Sequence, residues 1–226
     1  MLDQAKGSLS KEFKLILEVA ERRMLSALGG YHIWKYLELA INLNNPIGKE
    51  GVDRNLKILN LYNAFFWQIR VSTYKSFVAD LAIFFDKNGY ENTFSLTKLL
   101  DSTRDKLSVS EIDKMRKEIE KIKKAHGVKI SFIRELRDAD VAHQEIDTKD
   151  RHLLYENIES LFTAVQEILN LISHKHDRSI NSWNHIGEDI NHQMEWILEN
   201  LERGEKARIE DINKKWDVSN STTQNT

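Results

Sequence analysis

One proline, Pro46, stands in a chain of 226 residues, and only nine glycines accompany it. Proline removes a backbone donor and glycine is the usual stopping place of a helix, so long stretches here contain nothing that must interrupt regular hydrogen bonding. Through those stretches apolar residues recur at intervals of three and four, the helical period rather than the alternating period of a strand. The predicted fold is therefore all-α, a bundle of long helices. The length suffices for a sizeable core, and we expect a single helical domain over residues 1–217. A disordered polar tail, 218–226, should follow, because VSNSTTQNT has almost nothing to bury.

A first helix is expected from Ser8 or Ser10, with Phe13, Ile16, Leu17, Ala20 and Met24 as its stripe, ending at Gly29-Gly30. A second runs from Tyr31 to Leu43. After the loop around Pro46, Asp53 can cap a helix reaching Asp86, which at 1.5 Å per residue would span about 50 Å and so needs neighbours along its length. A short helix covers Ser95 to Leu100, and Ser110 with Asp113 can cap the next. Gly127 should break that helix. Val128 to Ile146 reads as a central one, apolar over most of its circumference, with Arg151 to His174 and Trp183 to Glu202 completing the bundle. The last helix has room to extend to Trp216.

Several function classes fall away. With no cysteine, disulfides, thiolate zinc sites and cysteine nucleophiles are excluded. The opening MLDQAKGSLSKEF has no apolar run of signal-peptide length, and charged or amide residues interrupt every apolar patch, so a cytoplasmic chain with no membrane partner is expected. His185, Glu188 and His192 fall on one helical face and His174 and His176 lie close to Asp177, yet a full ligand set is missing. No metal and no cofactor is predicted. At helical spacing the five tryptophans read as core or interface, with Trp216 alone exposed by default. The formal net charge of -2 does not advertise a polyanion binder. One basic concentration stands out: Lys114, Arg116, Lys117, Lys121, Lys123 and Lys124 against Glu118 and Glu120. It is either a solvated helix face or a phosphate-contacting surface.

The candidate chemistry lies in the predicted central helix. Arg137, Asp140 and His143 are spaced three apart and share an arc of about 120°. A polar strip on an otherwise apolar helix must be paired or serve a purpose, so it is either an internal hydrogen-bond network or an active site.

The segment RDADVAH, Arg137 to His143, resembles the signature of the HEPN superfamily: an arginine followed by a polar residue, with four to six positions in all before a histidine that is usually preceded by a small residue. The five-residue spacing, with the stretch from Asn63 to Asp86 ending in SFVADLAIFFD and the following SLTKLLD (Ser95 to Asp101), is similar to AbiU2-type HEPN proteins of abortive-infection and toxin-antitoxin systems. The resemblance covers roughly residues 10–175. It implies a HEPN-like bundle acting as a metal-independent, toxin-like endoribonuclease in phage defence or growth arrest. Its partners would be RNA, a second copy of the chain and an antitoxin or regulatory protein. On that resemblance His143 transfers protons at the ribose and leaving oxygens, Arg137 holds the scissile phosphate, and Asp138 orients either residue, in its own chain or in the second copy across a dimer interface. Asparagine or histidine is more usual at the position of Asp138, and Asp140 adds a second acid that can neutralise Arg137 as well as position it. The alternative implied is a catalytically silent HEPN-like module that binds a protein or nucleic-acid partner.

Overall fold

The computed structural model describes residues 2–42, 48–86, 96–142, 151–178, 180 and 182–223, without the side chains of 2–10, 139–142, 151–154, 177 and 217–223. Eight α-helices and no strand occur among the described residues: α1 Leu2–Leu39, α2 Gly48–Leu61, α3 Asn63–Ile83, α4 Leu96–Asp101, α5 Val109–Ala125, α6 Gly127–Ala142, α7 Arg151–Asp177 and α8 Ile186–Thr223. A short 3-10 turn, Ser102–Asp105, follows α4. The all-α expectation holds. No helix among the described residues is long and apolar enough to cross a membrane.

The chain forms two compact units, 1–31 with 72–186 and 32–71 with 187–226. In the first, the predicted stripe of α1 is buried from Phe13 through Met24, together with Phe77, Leu81 and Phe84 of the α3 segment and Ile158, Leu161, Val165 and Ile172 of α7. Two of its buried polar side chains, Tyr31 and His176, face acids. The Tyr31 hydroxyl donates to Glu159 at 2.8 Å, and burial first, then that hydrogen bond, pushes its pKa far up. His176 Nε2 lies 3.3 Å from Asp105 Oδ1 while its ring stacks on Phe13 at 3.7 Å. The second unit packs Leu37, Ile58, Phe66, Met194 and Leu198 into a smaller core flanked by Ile33, Tyr36, Leu59, Ile69, Ile190 and Leu201.

Several boundaries differ from expectation, each for a local reason. Gly29 and Gly30 do not end the first helix; α1 runs through them. A Cβ on Gly30 would lie 3.1 Å from the Thr73 carbonyl oxygen and 3.4 Å from Phe77 Cβ, so glycine is there to let two helices approach closely. The helix predicted from Asp53 to Asp86 is interrupted at Tyr62, though hydrogen bonds bridge the break, Tyr62 N to Ile58 O at 3.2 Å and Phe66 N to Tyr62 O at 3.1 Å. Ser108, not Ser110, caps α5, because Glu111 reaches back to the Ser108 amide at 2.9 Å and closes a reciprocal capping box. Gly127 opens α6, and the break falls at His126. Among the described side chains of α6, Ile130 and Ile133 are buried, Phe132 and Leu136 are half-buried and Val128 is exposed. Arg178, with φ 65°, turns the chain out of α7 in the left-handed conformation and its amide donates to His174 O. Finally, α8 is helical to Thr223, well into the segment expected to lack structure.

Candidate active site

Arg134 and Arg137 are one turn apart on α6 and so project to the same side, toward the chain that leaves α3. There Phe84 and Phe85, both buried, fix the turn, with the Phe85 amide donating to Ala82 O at 3.0 Å and the Asp86 amide to Ile83 O at 3.2 Å. This sets Asp86 in place. Arg137 Nη1 donates to both Asp86 oxygens, at 3.0 and 2.8 Å, and Arg137 Nε donates to Asp138 Oδ1 at 3.0 Å. Arg134 Nη2 donates to the Phe85 carbonyl, and its Nε lies 3.8 Å from Asp86.

The two acids hold Arg137 from different sides and by different nitrogens, and neither of them takes Nη2. The Arg137 side chain is 26% exposed, Asp86 32% and Asp138 69%, so the guanidinium is anchored within the fold yet open to solvent. Burial works against its charge, but the hydrogen bond to Asp138 and the field and hydrogen bonds of Asp86 outweigh that cost and raise its pKa above the ordinary arginine value. The cation is permanent, and two anchors restrict its orientation.

Of the residues singled out from sequence, Arg137 and Asp138 are therefore brought together. Asp140 lies on α6 with its side chain outside those described, and His143 lies outside the described residues. Asp86 and Arg134 were not singled out. The signal for them was present, since Arg134 precedes Arg137 by one turn and Asp86 closes the apolar run IFFD, but nothing in one sequence pairs two segments about fifty residues apart.

A profile of the HEPN AbiU2 family matches residues 10–195. The chain belongs to that family. Its HEPN-like domain is thus of the kind found in abortive-infection systems. No curated protein and no solved structure matches the chain. Among the described residues, no three or more histidine or acidic side chains are grouped to hold a metal ion, His185, Glu188 and His192 included.

Elsewhere, Trp34 and Trp183 are buried as expected of core aromatics, but Trp67 and Trp196 join Trp216 in being more than half exposed. In the second unit a cavity of about 260 Å³ is lined by residues that include His32, Lys35, Tyr36, Asn55 and Glu195. Burial, followed by the charge of Glu195, pushes the Tyr36 phenol up to about 12.

Proposed function

We propose that this protein is a metal-independent endoribonuclease, toxin-like and active in phage defence or growth arrest, whose Arg137 and His143 work across the interface of a homodimer. What supports the reading is a fixed, permanently charged and partly open guanidinium at the arginine of the RDADVAH segment, in a chain of the AbiU2 HEPN family. In the reaction the ribose 2'-oxygen bonds to phosphorus and loses its proton. The bond to the 5'-oxygen breaks, and that oxygen takes up a proton, leaving a 2',3'-cyclic phosphate. His143 supplies the proton transfer, and Arg137 meets the charge that develops on the phosphoryl oxygens with its planar fork of donors. Asp138, already on Arg137 Nε, holds the fork in register. An antitoxin or regulatory protein would keep such an activity in check.

The test compares cleavage of a mixed RNA by the wild type, His143→Ala and Arg137→Lys beside their thermal stability. Loss of a general acid or base should cost roughly 10²- to 10⁴-fold in rate. Arg137→Lys should also be strongly impaired, since an ammonium keeps the charge and loses the fork. Cleavage that is abolished by chelator, or that acts equally on DNA, would contradict the mechanism.

One observation favours a second reading, a silent HEPN-like module that binds a protein or nucleic acid. Asp86 and Asp138 together balance the charges of Arg134 and Arg137, as they would in a purely structural network. An inactive wild type whose Arg137→Ala variant merely melts lower would support it.

A further inference from the structure

The basic run of α5 resolves into a ridge. At about 100° per residue, Lys114, Lys117, Lys121 and Lys124 fall within about 40° of one line along the helix, opposite the face that carries Ile112, Met115 and Ile119. Those three are buried, so the lysines are the part of α5 that projects furthest into solvent, and all four are exposed.

The acids of α5 are already engaged. Glu111 is held by Ser108 in the capping box, Asp113 by Arg116 at 2.8 Å, Glu118 by Lys121 at 2.7 Å and Glu120 by Lys123 at 3.4 Å. Lys114, Lys117 and Lys124 have no ion-pair partner among the described residues, and each of them stands on the ridge. A helix that only needed a solvated face has no reason to sort its uncompensated cations onto one line in a chain of net charge -2.

We propose that the ridge formed by Lys114, Lys117, Lys121 and Lys124 is the surface along which the phosphodiester backbone of the RNA substrate lies, an assignment that rests on the nuclease reading above. From Lys114 to Lys124 the ridge runs about 15 Å at the helical rise, long enough to follow successive phosphates of one strand. Lysine is a point charge on a flexible stem, suited to a polyanion read without regard to base. Between Lys114 and Lys124 the ridge offers no large apolar side chain to a lipid interface, since Met115 and Ile119 face the core and the exposed Val109 lies before this span. Discrimination of RNA from DNA belongs to the chemistry at His143 and not to this surface.

The experiment measures binding of a fluorescein-labelled 2'-O-methyl oligouridylate, which cannot be cleaved, to the full chain across a salt titration. Lys114→Gln, Lys117→Gln and Lys124→Gln combined should lower the salt slope by about 2, at about 0.7 per phosphate contact, and weaken binding roughly 10- to 50-fold at physiological salt. The matching triple arginine variant should keep both, and the deoxy oligomer should bind comparably. Wild-type affinity and slope in the glutamine variant would overturn the proposal. So would a wild type that shows no salt-dependent binding, or one that uses these lysines for phosphatidylserine vesicles and not for the oligomer. A wild type that binds through the ridge but cleaves no RNA would instead remove the nuclease and leave the ridge as a nucleic-acid surface.

Discussion

Around Arg137 the two carboxylates have separate tasks. Asp138 is a neighbour in sequence and more than two-thirds exposed, whereas Asp86 comes from the chain leaving α3 and also faces Arg134. Removing the charge of Asp86 should therefore loosen two arginines at once. We predict that Asp86→Asn lowers RNA cleavage by up to about 10²-fold, the scale expected of a misplaced catalytic group. Its melting temperature should change little, because a pair about one-third exposed contributes only about 1 kcal/mol or less. Unchanged turnover in this variant would show that Arg137 does not need its anchor. The RDADVAH segment was legible in the sequence because its residues are local. Asp86 was not, because its role exists only once α3 and α6 are folded together.

Among the elements, Gly30 of α1 and Gly204 of α8 make the same point from packing. Both occupy helix interiors, where alanine is favoured by about 1 kcal/mol, but only one has a neighbour in the way. Gly30→Ala should destabilise by about 1–2 kcal/mol, because its Cβ would press on a backbone oxygen at 3.1 Å, while Gly204→Ala, with nothing within 4 Å, should stabilise by about 0.5–1 kcal/mol. Chemical denaturation that gives both changes the same sign would refute this account. A sequence shows the glycine and not what faces it, which is why Gly29-Gly30 reads as a helix end. At α5 the mistaken cap has a similar origin, since Ser108 with Glu111 and Ser110 with Asp113 share one spacing and differ in side-chain reach. The Ser108 hydroxyl, then its backbone amide, hold the Glu111 carboxyl below its ordinary pKa. That stabilisation is present above the ordinary glutamate pKa and is lost as pH falls through the lowered value. The melting difference between wild type and Ser108→Ala should accordingly be larger at neutral pH than in acid; an equal difference at both would mean the charge of Glu111 takes no part.

For the whole molecule, the all-α class followed from periodicity and the single proline, because a helix satisfies its backbone within itself and needs no distant partner to declare it. The two compact units share α1 and α3, so at 31/32 and 71/72 the boundary falls inside a helix, where no turn residue announces it. The proposed assembly permits a direct test. If Arg137 of one protomer works with His143 of its partner, Arg137→Ala and His143→Ala homodimers are each inactive, but a mixed dimer regains one intact pair. Its other site has lost both residues. Random exchange of subunits makes about half the dimers mixed, each with one of two sites, so about a quarter of wild-type cleavage should return on mixing. Sedimentation should show dimers before and after exchange. If the arginine and histidine of a site come from the same protomer, mixing restores nothing at all, and the composite site is excluded even where the nuclease itself survives.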